Sequence, residues 1–196
     1  NIQSTGGPGF IDVTAGCFSM ETTSTLQPNV TVTYQNGTVA QFFRNTGDGT
    51  FLDVAWVKAA DRVEDGGGLS VFDYDRDGAQ DLLLRNYRMP AQLLRNRGGG
   101  GHWLQLRLVG TRSNRDAVGA RVRVRTAEGW QTRVVTAGSG YLSSHSLVQH
   151  VGLGPAARAN EVRITWPSGS ETVLAHPTAD RRYTVVEGEA APRLVP

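Results

Sequence analysis

Between Val71 and Leu84 the chain sets Asp73, Asp75, Asp77 and Asp81 around a glycine, Gly78. Carboxylates at loop positions one, three, five and nine, with Gly78 at six and the carbonyl of Ala79 at seven, have the spacing of a calcium loop. An EF-hand is excluded by the exit, where position twelve is Leu84 instead of a bidentate Glu. Carboxylates converging to about 4 Å disfavour one another by roughly 4 kcal/mol per pair at an effective dielectric of about 20, so something must neutralise them. A hard divalent cation taking six to eight oxygens does this, and the lack of nearby His or Cys argues against zinc or copper. Magnesium prefers to keep several waters and fits less well. The expectation is Ca2+ held by Asp73, Asp75, Asp77, Ala79 and Asp81, with a solvated acidic turn as the competing reading.

Other residue types invite sharper chemistry. Alternation along a strand puts Arg121, Arg123 and Arg125 on one face, and Arg115 lies in a glycine-flanked loop where its fork could grip a carboxylate. These four are the candidate partner-binding residues, weighed against a solvated strand face and a turn held by its own Arg115, Asp116 or backbone network. Nucleic acid is not expected, because net charge is only +2 and no stacking-aromatic motif accompanies the stripe. Ser139 lacks the Gly-x-Ser-x-Gly order of a nucleophile elbow. His145 and His150 are spaced for neither one helix face nor one strand face, and His102 and His176 lie far away in sequence, so a zinc cluster is not expected. Gly98 to Gly101 are followed by no Lys-Ser/Thr pair, which favours a flexible junction over a phosphate cradle.

Elements must position these residues, and the composition says which kind. With 24 glycines among 196 residues, 39% hydrophobic content and few long apolar helical stripes, the chain reads as many short strands joined by turns. Residues 1–98 carry 8 basic and 11 acidic groups, and residues 99–196 carry 12 and 7, so the acidic half is the expected metal half. Cys17 is the sole cysteine, which rules out an internal disulfide and leaves calcium to act as the staple. Thr14-Ala15-Gly16-Cys17 has the outline of a lipoprotein cleavage site, but Asn1 to Val13 contains no apolar run, and no lipid anchor is expected. No stretch reaches 18 apolar residues, so no transmembrane segment is expected. Asn29-Val30-Thr31 and Asn36-Gly37-Thr38 are glycosylation sequons.

The chain also repeats itself. Gln41-Phe42-Phe43-Arg44-Asn45 through Phe51-Leu52 returns as Gln92-Leu93-Leu94-Arg95-Asn96 through His102-Trp103, a period of 51, and Gly6 to Val13 is a partial third copy offset by 41. Phe43-Arg44-Asn45-Thr46-Gly47-Asp48-Gly49-Thr50-Phe51, then Phe72-Asp73-Tyr74-Asp75-Arg76-Asp77-Gly78 and a second Arg95-Asn96, resemble FG-GAP or VCBS-type repeats. The resemblance implies propeller-blade-like β units with calcium in the Asp73 to Asp81 loop. In the first unit the corresponding segment, Val30 to Thr38, reads as a strand and turn with no acidic ligand. A closed propeller needs at least four blades and about two are encoded, so the expectation is that blades are missing, or that these units pack on the C-terminal domain or a partner chain.

From His102 onward longer alternating strands appear: Leu104, Leu106 and Leu108 share a face, as do Ala120, Val122 and Val124, and Val162, Ile164 and Trp166. His102-Trp103-Leu104, Gly110-Thr111-Arg112-Ser113-Asn114-Arg115-Asp116-Ala117-Val118-Gly119-Ala120-Arg121-Val122, Ala137-Gly138-Ser139-Gly140-Tyr141, Gly152-Leu153-Gly154 and Trp166-Pro167-Ser168-Gly169 in this order resemble the ASPIC/UnbV domain. The expected fold is all-β, one to two FG-GAP-type propeller-blade-like units followed by an antiparallel β-sandwich. The domains are read as 1–98, 99–187 and a tail at 188–196. The expected function is non-catalytic: a calcium-stabilised extracytoplasmic interaction or adhesion module meeting a protein or glycan partner at the cell surface, with oligomerisation compatible. The alternatives are a structural subunit of a larger assembly and a glycan-active hydrolase, which would need two cooperating carboxylates roughly 5 to 10 Å apart.

Overall fold

In a computed structural model of the chain, residues 14–16, 31–33, 43–45, 48, 50–53, 66–97, 101–140 and 142–195 are described. Cys17, both sequons' asparagines, the partial copy at 6–13, Lys58, Gly98 to Gly100 and Tyr141 lie outside them. Among the described residues every regular element is a strand, which agrees with the all-β expectation. Among these residues no helix is long and apolar enough to cross a membrane. Two compact units result: one gathers the described residues up to Arg97 together with Gly138–Ser146, and the other gathers residues 101–137 and 147–195.

The first unit contains two small pairings, β1 (Thr14–Gly16) parallel to β2 (Thr31–Thr33), and β3 (Phe43–Asn45) antiparallel to β4 (Phe51–Asp53). The β3–β4 turn is tied by Asp48, whose Oδ1 accepts from the Thr50 amide and hydroxyl, a side-chain mimic of a backbone turn. Its main sheet is an antiparallel meander of β5 (Gly66–Phe72), β6 (Asp81–Asn86) and β7 (Gln92–Leu94). Leu69, Val71 and Leu84 are buried on one face, while the paired Leu83 and Leu93 are exposed on the other. The outer edge of β5 is capped by the 138–146 segment. The Ser70 hydroxyl donates to the Ser144 carbonyl, the Val71 amide to His145 Nδ1 and the Ser146 amide to the Val71 carbonyl. Such a cover removes a free strand edge.

The second unit is a two-layer sandwich. One sheet has the order β10 (Gly129–Val134), β9 (Arg121–Thr126), β12 (Glu161–Thr165), β13 (Glu171–Ala175), all antiparallel. The other has the order β11 (Gln149–Gly154), β8 (His102–Val109), β14 (Arg181–Val186), β15 (Arg193–Val195). In this second sheet β8 and β14 run parallel, a detail invisible in the alternation, because a parallel pair needs a long crossover and here the entire opposite sheet supplies it. Leu104, Leu106, Val122, Val124, Val162, Ile164 and Val185 close one core between the layers. Each such side chain contributes about 1.5–3 kcal/mol by leaving water. Trp166 lies under the sandwich end with its indole N–H on the Thr172 hydroxyl at 2.9 Å, and Gly169 takes the left-handed φ of 87° that the following turn needs.

The 51-residue repeat diverges in its second half. Phe51 and Leu52 sit on β4, which pairs with β3, whereas their counterparts His102 and Trp103 open β8, which pairs with β11 and β14.

Candidate metal loop, clasped loop and arginine face

The register Phe72↔Asp81 makes residues 73–80 the connection of the β5–β6 hairpin, so the strands fix both ends of the acidic loop. The loop winds on its own amides. Asp73 Oδ2 accepts from Gly78 N at 3.0 Å, Asp75 Oδ1 from Asp77 N at 3.3 Å and Asp77 Oδ1 from Ala79 N at 2.8 Å. Gly78 has φ 90°, the left-handed turn its position in the spacing required, and Arg76 has φ 61°. Asp81 is fully buried at the start of β6 and receives the Tyr74 amide on Oδ2 at 3.0 Å and the Asn96 amide on Oδ1 at 2.8 Å.

The consequence is a cluster: one carboxylate oxygen each from Asp73, Asp75 and Asp81 lies within 4.8 Å of the others. Asp77 stands apart from this triplet, holding Ala79 N with one oxygen and lying 3.6 Å from Arg95 with the other. Burial pushes the Asp81 carboxyl above the usual carboxylate range, and the charges of Asp75 and Asp77 push the same way against its two backbone hydrogen bonds. An all-oxygen donor set of converging carboxylates fits a hard cation of calcium's type. Sequence reasoning singled out Arg95-Asn96 only as a repeated pair. The structure gives both a place here: Asn96 returns its amide to Asp81, and the Arg95 guanidinium lies 2.7 Å from Asp75.

In the second unit the loop from Gly110 to Ala120 is organised by a residue that the sequence did not single out, Glu187. Its Oε2 accepts the three consecutive amides of Thr111, Arg112 and Ser113 at 2.9, 2.9 and 2.8 Å, and its Oε1 accepts the hydroxyls of Ser113, Ser168 and Ser170. Burial alone would raise this carboxyl, yet the Ser168 hydroxyl and the three amides outweigh it and hold the group far below the usual range. Asn114 closes the rest of the loop, donating to the Val118 carbonyl and accepting the Val118 amide, both at 2.8 Å. A Cβ on Gly110 would come within 2.1 Å of the Asn114 carbonyl, so only glycine fits. The backbone network is therefore what holds the loop, and Arg115 and Asp116 lie exposed on it.

The arginine stripe lies on β9, the second strand of its sheet. Arg121 and Arg125 are exposed and Arg123 is half-buried. On the adjoining β10, in register with Arg125, Trp130 carries both guanidiniums over its ring, Arg123 at 4.5 Å and Arg125 at 5.8 Å from the centroid. On the other side Arg163 is fastened to Glu161 by two hydrogen bonds of 2.9 and 3.1 Å.

The remaining polar candidates are spread apart. Ser139 Oγ accepts the His145 amide, and burial lowers the His145 imidazole to about 4. His150 is buried and stacked at 6.2 Å on Trp103, its basicity lowered to about 3 by burial and then by the Arg133 charge. His102 pairs with Asp180 at 2.7 Å. Among the described residues only the aspartate triplet gathers three metal-ligating side chains.

Comparison with known proteins agrees with the sandwich. Over 109 residues, 53% of the chain, it is 38% identical to cartilage acidic protein 1 of Mus musculus and of Homo sapiens, and 36% identical over the same share to that of Xenopus tropicalis. The match covers 17% of the mouse protein and 16% of the other two, so the chain spans about a sixth of the length of the curated relatives it matches. Residues 110–192, which open on the Glu187-clasped loop, match the family described as ASPIC and UnbV.

Proposed function

We propose that the chain is a non-catalytic interaction module that works outside the cytoplasm, with a calcium ion fixing the β5–β6 hairpin and with its exposed sheet and loop surfaces meeting a protein or glycan partner. The observation that carries the calcium part is the convergence of Asp73, Asp75 and Asp81 within 4.8 Å around a buried carboxyl resistant to ionisation. Asp77, which the spacing also assigns to the shell, would have to turn from Ala79 N and Arg95 to join it, and a shell made largely of protein oxygens suits a structural ion. The ion supplies charge neutralisation and a rigid hairpin. The ASPIC/UnbV domain and the likeness to cartilage acidic protein 1, whose name denotes a tissue component and no reaction, support an interaction role in an extracytoplasmic setting.

The structural-subunit reading draws on a different observation. Leu83 and Leu93, directly paired across β6 and β7, are 36% and 46% exposed, with Tyr87 and Met89 exposed at the adjacent turn, an apolar face of the kind neighbouring chains cover.

Calcium titration by isothermal calorimetry tests the main reading. One site per chain is expected, lost in Asp81→Asn and strongly weakened in Asp75→Ala. A wild-type chain that takes up no calcium would sink it, and turnover of any member of a polysaccharide panel would overturn the non-catalytic part. Sedimentation of wild type against a Leu83→Glu/Leu93→Glu variant tests the assembly reading, which predicts an oligomer in the first only.

A further inference from the structure

Resting on the interaction-module reading, we infer that the outer face of the β10-β9-β12-β13 sheet binds a linear anionic polysaccharide, one bearing sulfate or carboxylate groups, along the Arg121-Arg123-Arg125 row. Three arginines on alternate residues of one strand leave the backbone about 6.8 Å apart and span about 13–14 Å along it, a cationic row in line with a straight polyanion. Trp130 pre-organises two of them. With Arg123 and Arg125 stacked on its ring, the long side chains are held extended, and less rotamer freedom is lost when their forks close on an anion. None of the three forms an ion pair with a carboxylate among the described residues, whereas Arg163 next to them is neutralised by Glu161. The row therefore retains its positive charge, and Arg163 with Glu161 forms a neutral flank to it.

The face is wrong for the two competing macromolecules. A protein interface needs a buried apolar centre with aromatic or aliphatic anchors, but here the one aromatic ring is already covered by arginines, and the exposed Val134, opposite Arg121, and Val173 are single side chains on the two outer strands of the sheet that form no apolar centre. A single-stranded nucleic acid needs free aromatic rings on which bases stack, and Trp130 is taken. Sulfate and carboxylate groups on a hydroxylated polymer need what is present, bidentate donors on a flat polar face.

The test is binding of the full chain to immobilised heparin, as a sulfated probe, and to neutral dextran, in calcium and in chelator. Two charge-matched variants are compared: Arg121→Gln/Arg123→Gln/Arg125→Gln, and a control with Arg107→Gln/Arg112→Gln/Arg181→Gln, all three of whose targets are exposed elsewhere on the second unit. Heparin binding is expected to fall about tenfold or more in the first variant and to stay within about twofold in the control, with no dextran binding by either. Arg121→Gln/Arg125→Gln, which leaves the stacked Arg123 in place, gives an intermediate loss if folding of the triple variant is impaired. Equal losses in both triple variants, or heparin binding untouched by the stripe, overturn the inference while leaving the module reading to its calcium and partner tests. Tighter binding of polyglutamate or duplex DNA through the same three arginines overturns the assignment to a glycan.

Discussion

Two loops in this chain are built around carboxylates and resolve them in opposite ways. At the end of the sandwich, Glu187 is one buried anion surrounded by six donors, three amides and three hydroxyls, and its charge is favoured so strongly that its basicity collapses. In the β5–β6 loop several carboxylates converge on each other, two amides reach the buried Asp81, and its charge is still disfavoured. The first loop is complete as the chain makes it. The second, on the reading proposed above, is completed by a cation. A buried anion is thus stabilising or destabilising according to the donors around it and not according to its burial.

Breaking the clasp gives the largest expected effect. Glu187→Ala strands three adjacent amides and three hydroxyls in a half-buried site and is expected to cost roughly 3–5 kcal/mol, with Glu187→Gln costing about half as much because one oxygen still accepts. Urea unfolding read by tryptophan fluorescence in a Trp56→Phe background checks this, since the other three of the four tryptophans, Trp103, Trp130 and Trp166, belong to the second unit. A cost below about 1 kcal/mol for Glu187→Ala would show that the loop is held mainly by Asn114 and Gly110.

On the proposed reading, calcium is the corresponding lever on the other loop. At free calcium about a hundredfold above its dissociation constant, the first unit is expected to gain about 2.7 kcal/mol, read as slower hydrogen exchange over residues 73–86. Asp81→Asn removes the gain. It also relieves the repulsion, so in chelator the variant is expected to exchange no faster than wild type. Faster exchange of the variant in chelator would contradict the view that Asp81 is an unfavourable charge awaiting its ion.

What the sequence made legible follows the same division. The convergence of the acidic loop could be read because it is local: Asp73, Asp75, Gly78 and Asp81 fall within nine residues of one hairpin connection. The strands of the sandwich were equally plain, since Leu104 to Leu108 and Val162 to Trp166 alternate as half-buried strands do. Glu187 was illegible because its partners lie 74 to 76 and 17 to 19 residues earlier in the chain, and a lone Glu after an alternating strand has no periodicity of its own. The parallel β8–β14 pairing and the fate of the second repeat copy were hidden for the same reason: both are decided by which distant strand fills an edge.

Acid should separate the two regions by sign. Glu187, with a lowered folded-state value, contributes stability that is complete above about 4.5 and lost as pH falls below it. His150, held neutral down to about 3, adds a loss that begins when the unfolded chain takes up a proton near 6.5. The second unit is therefore expected to weaken as pH drops from neutrality, by up to about 1.4 kcal/mol per pH unit from His150 alone below 6.5, and His150→Asn should flatten this upper limb. Asp81 acts the other way, since a raised carboxyl in the metal-free loop favours the fold at low pH and disfavours it as pH rises through the raised value. Fluorescence for the sandwich and hydrogen exchange for residues 73–86, both in chelator, should diverge between pH 7 and about 4. Parallel decline of both would end the contrast.

The smallest effect tests whether the acidic loop carries its own counter-charge. Arg95 lies 2.7 Å from Asp75 and 3.6 Å from Asp77 and is more than half exposed, so in the metal-free chain it supplies part of the neutralisation that Glu187 obtains from hydrogen-bond donors. An arriving ion must compete for the same Asp75 oxygen and meets a like charge beside it. Arg95→Gln is therefore expected to tighten calcium binding roughly two- to fivefold, an effect limited by solvent screening and shrinking as salt is raised. Asn96 offers a built-in contrast, because its contribution to Asp81 is a backbone amide that Asn96→Ala leaves in place, so that variant should bind calcium as wild type does. Weaker binding in Arg95→Gln would mean that the guanidinium orients Asp75 for the ion instead of standing in for it, and the loop would then be pre-organised in the same sense as the Glu187 clasp.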